Sequence, residues 1–89
     1  MDWTLYILEC ADGSLYTGIT NNLEKRVAAH ENGMGAKYTK GRGPFSVVYI
    51  EELENRSVAT KRELAVKKLN RQDKVDLVKS YQVRSSTRC

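Results

Sequence analysis

Two short runs of apolar and β-prone residues lie near the N-terminus, at positions 3–10 and 14–19. The dipeptide Asp12-Gly13 stands between them, and an Asp-Gly pair flanked by such runs is a strong local signal for a β-hairpin. The pattern therefore predicts two antiparallel strands joined by a tight turn. Each strand carries one tyrosine, Tyr6 in the first and Tyr16 in the second.

The middle of the chain changes from a helical to an extended pattern. Asn22 can cap a helix over positions 22–32, and Gly33 ends it because glycine accepts a left-handed backbone at little cost. A β-branched and aromatic run at 45–51 predicts a third strand. Its nearly continuous apolar character predicts that this strand is buried on both faces.

The last third of the sequence predicts two more helices. Ser57 is the expected cap of the second helix, which reaches about Leu69, and Asn70 is the expected cap of a third helix over 71–81. We expect one domain over residues 1–82 and a disordered polar tail over 83–89. The fold class is therefore α/β, a small three-stranded antiparallel sheet flanked by helices in the order β-β-α-β-α-α.

Length and composition narrow the class of protein. The 89 residues allow one domain with a modest core, and 40% hydrophobic with 29% charged residues is typical of a globular protein and excludes a disordered one. No apolar run reaches membrane length and no secretion signal is apparent, so the expected location is the cytoplasm. Cys10 and Cys89 have no spacing suited to a zinc site.

The net charge of +4 is compatible with a polyanionic partner. Three cations crowd a glycine-rich loop, Lys37, Lys40 and Arg42, and a second cationic series follows later in the chain: Lys61, Arg62, Lys67, Lys68, Arg71 and Lys74. Such a surface can contact phosphates without reading a base sequence. The alternative interpretation is that the later series forms only the solvated faces of helices.

Three side chains on the predicted helices are candidates for chemistry. Arg26 and His30 are four residues apart, so they share one helix face and can point together at the hairpin. Glu63 shares a stripe with Ala59 and Val66, so it should face inward at the edge of the core. An inward carboxylate can be a metal ligand, or it can form a weak helix pair with Lys67.

The two tyrosines form a shared site only if the hairpin has the right register. A two-residue turn at Asp12-Gly13 would place Tyr6 and Tyr16 on opposite faces, because side chains alternate along a strand. We therefore expect a connection of three or five residues with Gly13 in a left-handed conformation. The alternative role of both rings is packing, with the hydroxyl groups at the sheet edge.

The order of these parts resembles the GIY-YIG nuclease family, and within it the small single-domain bacterial members. The match rests on five segments that span nearly the whole chain: Thr4-Leu5-Tyr6, Tyr16-Thr17-Gly18, Asn22-Leu23-Glu24-Lys25-Arg26, the loop from Gly35 through Gly41-Arg42-Gly43-Pro44, and Lys61-Arg62-Glu63-Leu64. Of the GIY triplet only the tyrosine, Tyr6, is kept.

The resemblance implies roles for individual residues. Glu63 would bind Mg²⁺ or Mn²⁺, and Arg26 would hold the phosphate. Tyr16 would be the proposed base for an attacking water, with Tyr6 in support. Several family members place a lysine where this chain has Ile19, and this departure makes His30 the first alternative base. In the glycine-rich loop we expect Lys37, Lys40 and Arg42 to hold the nucleic-acid backbone. Tyr38 lies among them and is expected to stack on an exposed base, with packing against the sheet as the alternative.

The expected function is therefore a metal-dependent endonuclease that hydrolyses phosphodiester bonds in DNA, with RNA as a second substrate class. One alternative is a nucleic-acid-binding module of the same fold with little or no cleavage activity. Another is a protein-interaction domain with an incidental basic surface. We expect a monomer with no membrane contact, and an additional protein partner could supply specificity.

Overall fold

The computed structural model describes residues 3–34, 41 and 43–87, with side chains as far as residue 81. The elements follow one another as β1 (Trp3–Glu9), β2 (Leu15–Thr20), α1 (Leu23–Glu31), β3 (Ser46–Leu53), α2 (Arg56–Lys67) and α3 (Arg71–Thr87). The predicted order β-β-α-β-α-α is confirmed. None of the helices in the described ranges is long and apolar enough to cross a membrane.

The three strands form one antiparallel sheet in the order β2-β1-β3. The prediction that the third strand is buried on both faces is wrong, because β3 lies at an edge of the sheet. Only Tyr49 of β3 is fully buried, and Val47 is exposed. The strand buried on both faces is β1, in which all four residues from Leu5 to Leu8 are inaccessible to solvent.

The hairpin turn has the odd length that the sequence analysis expects. Cys10 and Ser14 close a three-residue loop, with the N–H of Cys10 donating to the carbonyl of Ser14 at 2.9 Å. Inside the loop the N–H of Gly13 donates to the carbonyl of Cys10, also at 2.9 Å. Gly13 has a φ of 85°, in the left-handed region that a side chain would strain. The predicted left-handed Gly13 is confirmed.

This loop sets the register of the hairpin. Tyr6 lies opposite Gly18, and Leu8 lies opposite Tyr16. Because residues two apart on a strand share a face, both tyrosines project from the same side of the sheet. The geometric condition for a site that uses both phenols is therefore met.

The opposite side of the sheet holds the apolar core. Its fully buried members come from two strands and two helices: Leu5, Ile7, Tyr49, Val66 and Val78. Helix α2 packs against β1 and β2, and α3 packs against β3. Burial of each such aliphatic side chain contributes about 1.5–3 kcal/mol to folding. The core thus holds α2 and α3 on one face and leaves the tyrosine face to α1.

The helix boundaries confirm two of the predicted caps and correct a third. The side chain of Asn22 accepts from the N–H of Lys25 at 3.2 Å and begins α1. The side chain of Asn70 accepts from the N–H of Asp73 at 2.8 Å at the start of α3. Helix α2 begins earlier than expected.

Asn55, not Ser57, caps α2, and its side chain accepts from the N–H of Val58 at 2.9 Å. An Asn at this place satisfies the same free N–H groups that a serine would satisfy. The helix ends at Lys67, short of Leu69. Helix α3 is longer than the sequence predicts, because it runs past residue 81 to Thr87, so residues 83–87, expected in a tail, have helical backbone.

Candidate functional site

A buried hydrogen bond between Tyr6 and His30 lies at the centre of the tyrosine face. The phenol oxygen of Tyr6 is 2.8 Å from Nε2 of His30. Both side chains are almost completely buried, at 0% and 1% exposure. Tyr6 is delivered by the central strand and His30 by the last turn of α1. The bond therefore ties the helix to the sheet inside a water-poor environment.

Arg26 and Tyr16 complete the group around this bond. The nearby hydroxyl of Tyr6 is the main reason why the pKa of Arg26 is raised, and the hydroxyl of Tyr16 acts in the same direction. The ring of Tyr16 packs edge-on against His30, with 5.1 Å between the ring centroids. The expectation that Arg26 and His30 face the hairpin together is met, since one turn of α1 separates them.

The pKa shifts of the pair define which group carries the proton. Burial raises the pKa of Tyr6 to about 12, and the nearby charges of Tyr16 and Glu63 act in the same direction, whereas Arg26 opposes them. Burial also lowers the pKa of His30, and the positive charge of Arg26 lowers it further. At neutral pH both rings are therefore uncharged. Because Arg26 can only donate, the arrangement that suits both neighbours has the phenol O–H donating to Nε2 and the phenol oxygen facing the guanidinium.

Gly18 provides the space in which the phenol of Tyr6 lies. A Cβ atom at position 18 would be 2.6 Å from Oη and 2.7 Å from Cζ of Tyr6, and 3.1 Å from Cε2 of Tyr16. Such separations are below van der Waals contact, so a side chain cannot fit without displacing a ring. A glycine is therefore needed at the third position of the Tyr16-Thr17-Gly18 triplet, because the phenol of Tyr6 occupies the space of a side chain.

Glu63 lies on α2 with its side chain only 18% exposed. Its Oε2 is 3.3 Å from Nζ of Lys67, so the helix pair that the sequence analysis gives as an alternative is present. The carboxylate also lies close enough to Tyr6 for its negative charge to raise the pKa of the phenol. Glu63 therefore belongs electrostatically to the tyrosine group while its carboxylate is paired with a lysine.

The residues around Glu63 fit one class of metal ion and not another. The described residues contain no group of three or more His, Cys, Asp or Glu side chains that could enclose an ion. A zinc site with three or four protein ligands therefore does not fit them. A hard cation such as Mg²⁺ or Mn²⁺ fits, because it commonly uses one carboxylate, several waters and a substrate phosphate. Glu63 is the residue that would hold it.

The residues that pack beside His30 and line the adjacent cleft were not predicted from the sequence. The ring of Phe45 lies 6.1 Å from that of His30, although the sequence suggests only the start of a strand at this position. Next to this contact is an open cleft of about 420 Å³, lined by His30, Glu31, Gly33, Gly41, Gly43 and Pro44. The sequence signal that could have indicated this cleft is the pair of glycines, Gly41 and Gly43, beside Pro44. Glycines have no side chain and leave the backbone accessible to a ligand.

Four predicted contacts to nucleic acid fall outside the described residues. They are Lys37, Tyr38, Lys40 and Arg42. The assignment of the three cations to the substrate backbone, and of Tyr38 to base stacking or packing, stays a prediction from sequence. The described part of the site consists of the tyrosine pair, the two side chains of α1 and Glu63.

Comparison with known proteins relates this geometry to a protein family. Residues 2–76 match the GIY-YIG catalytic domain. A UPF0213 protein of Clostridium perfringens is 56% identical over 80 residues, which cover 90% of this chain and 86% of the relative. A UPF0213 protein of Oceanobacillus iheyensis is 54% identical over 74 residues, which cover 83% of this chain and 86% of the relative.

Two structures solved by solution NMR are also similar. The UPF0213 protein of Bacillus halodurans is 46% identical with a TM-score of 0.59, and the match covers 89% of this chain and 84% of that chain. A protein from E. faecalis is 41% identical with a TM-score of 0.62, and the match covers 90% of this chain and 85% of that chain. The arrangement of strands and helices is thus shared with experimentally determined folds.

Proposed function

Because this chain belongs to the GIY-YIG nuclease family, we propose that it is a metal-dependent endonuclease that hydrolyses phosphodiester bonds in DNA, with RNA as the second substrate class. The observation that carries the proposal is the buried bond between Tyr6 and His30, beside which Arg26 lies close enough to both phenols for them to raise its pKa. A guanidinium beside two phenols presents N–H donors in a geometry that suits phosphate oxygens.

Arg26 is the residue proposed to bind the scissile phosphate. Its planar guanidinium presents several N–H donors in a fixed fork, which matches two phosphate oxygens. Negative charge on those oxygens increases as water attacks, so a positioned cation stabilises the transition state more than the ground state. The phenols hold the guanidinium in place before the substrate arrives.

The pair of Tyr6 and His30 is proposed to move the proton of the attacking water. Tyr6, with a pKa of about 12, is protonated at neutral pH and cannot act alone as the base. It can accept the proton of the water while it gives its own proton to Nε2 of His30. His30 is then the final acceptor of the proton. This route does not use a lysine at position 19, so the presence of Ile19 there does not interfere with it.

Substrate binding would make His30 a better base. In the free protein the positive charge of Arg26 lowers the pKa of His30. A phosphate held by Arg26 would offset that charge and raise the proton affinity of the imidazole. The imidazole of His30 therefore becomes more basic only when a phosphate is bound to Arg26.

Glu63 is proposed to hold Mg²⁺ or Mn²⁺, and a bound ion would supply positive charge beside the transferring phosphate and the leaving oxygen. The ammonium group of Lys67, 3.3 Å from Oε2, would have to share the carboxylate with the ion or move away. The same ion pair favours the second candidate function, a nucleic-acid-binding module without cleavage, in which Lys67 remains the partner of Glu63.

Purified protein incubated with linear, nicked and branched DNA and with RNA separates these candidates. Each substrate is tested with Mg²⁺, with Mn²⁺ and with a chelator. We expect cleavage of DNA that requires the ion and stops with the chelator. Binding that weakens with salt but yields no product with either ion would overturn the endonuclease proposal and support the binding module.

A further inference from the structure

Two charged residues lie on opposite borders of the buried face of α2. Successive residues on an α-helix are rotated by roughly 100°, so the neighbours Arg62 and Glu63 diverge on either side of the stripe formed by Ala59 and Val66. Ala59 and Val66 are fully buried, whereas Arg62 and Glu63 are half-buried. Rotation of the helix about its axis therefore moves both charged groups together.

Arg62 is attached to the sheet at a defined point. Its Nε donates to Oε1 of Glu51 on β3 at 2.9 Å, and the hydroxyl of Tyr49 donates to the same oxygen at 3.2 Å. Tyr49 is itself buried, and its ring packs edge-on against Tyr81 with 5.5 Å between centroids. The carboxylate that receives Arg62 is thus held by a side chain anchored in the core.

We propose that the ion pair between Glu51 and Arg62 sets the rotation of α2 and thereby positions Glu63 for its metal ion. This inference rests on the proposed function. The buried stripe of α2 consists of small side chains, which resist a small rotation less than large interlocking ones do. A directional hydrogen bond beside the stripe supplies the missing constraint.

A small rotation of α2 would move the carboxylate of Glu63 far enough to affect the binding of an ion. Side chains of a helix extend to a radius of about 6 Å from its axis, so a rotation of roughly 20° shifts a terminal carboxylate by about 2 Å. Displacements of about 1 Å can lower a catalytic rate by roughly a hundredfold. Water screens the partly exposed pair of Glu51 and Arg62, so its contribution to overall stability is small. Its effect on the site should exceed its effect on folding.

The test measures Mn²⁺ binding from the electron paramagnetic resonance signal of the free ion, without any nucleic acid. Arg62→Met and Glu51→Gln should each raise the dissociation constant of Mn²⁺ about tenfold, as expected when a residue that orients a ligand is lost. Lys61→Met is the matched control. It removes one charge from the adjacent, exposed position, for which no ion pair is seen within the described residues.

The exchange of both charges, Glu51→Arg with Arg62→Glu, should restore part of the lost affinity, while melting temperatures should change little. Wild-type Mn²⁺ affinity in Arg62→Met and Glu51→Gln would overturn the inference, provided that Glu63→Gln does lose the ion. Equal Mn²⁺ binding by Glu63→Gln and wild type would instead overturn the proposed metal role of Glu63. Loss of a cation by itself favours a bound Mn²⁺, so Lys61→Met should bind the ion at least as tightly as wild type. An equal loss of affinity in Lys61→Met would mean that the loss does not depend on the ion pair, and it too would overturn the inference.

Discussion

At the scale of residues, the site depends on a close approach that only glycine permits. The backbone of Gly18 lies against the phenol of Tyr6, and the ring is buried and bonded to His30. A side-chain atom added at position 18 would have no free space. The third position of the Tyr16-Thr17-Gly18 triplet is therefore part of the site's geometry, although it offers no chemical group of its own.

We expect Gly18→Ala to disrupt the bond between Tyr6 and His30. The added methyl group must displace the phenol, and such overpacking costs about 1–3 kcal/mol of unfolding free energy. Urea denaturation measures this loss, and the cleavage rate should fall with it because the displaced hydroxyl is the main influence on the pKa of Arg26. Unchanged stability and rate would mean that Tyr6 moves aside freely, contrary to its burial.

The burial of His30 predicts a pH dependence of stability. A group whose pKa is lowered in the folded state contributes stability that is present above its unfolded pKa of about 6.5 and is lost as the pH falls through the folded value. His30 is the single histidine of the sequence, so few other side chains titrate between pH 7 and 5. We expect the melting temperature to fall over this range, and to fall less in His30→Gln. Equal slopes would contradict the burial of a neutral imidazole.

At the scale of elements, local signals in the sequence predicted the strands and helices but not which strand lies at the centre of the sheet. The Asp12-Gly13 pair predicted the hairpin, and the requirement that Tyr6 and Tyr16 share a face predicted its odd loop. The apolar run of β3 led to a wrong prediction of burial, because β1 has an equally apolar run and only pairing between distant segments decides which strand is central.

The start of α2 and the contact of Phe45 with His30 also depend on how distant segments pack, which a local sequence pattern does not indicate. Asn55 and Ser57 are both good caps two residues apart, and the choice depends on where β3 ends. Phe45 contacts His30 across a loop, so no local pattern indicates that contact. The ion pair of Glu51 and Arg62 likewise joins two elements, and it appears only when the strand and the helix are placed together.

At the scale of the whole molecule, no single segment contains the site. The hairpin supplies the phenols, α1 supplies Arg26 and His30, and α2 supplies Glu63. The sequence could predict these five residues as one candidate site, because the motifs occur in a characteristic order, and their roles stay proposals. It could not predict the pKa shifts of Tyr6 and His30, because these depend mainly on burial in the folded protein.

Comparison of wild type with Glu63→Gln under identical Mg²⁺ or Mn²⁺ tests the central claim most directly. The substitution keeps the shape of the side chain and removes the charge that holds a hard cation, so folding and nucleic-acid binding should persist. Glu54→Gln removes the same charge from an exposed position before α2 and serves as the control. We predict that cleavage falls by at least about two orders of magnitude in Glu63→Gln and stays at the wild-type rate in Glu54→Gln. Equal cleavage rates for wild type and Glu63→Gln would contradict the metal role of Glu63 and leave only its ion pair with Lys67.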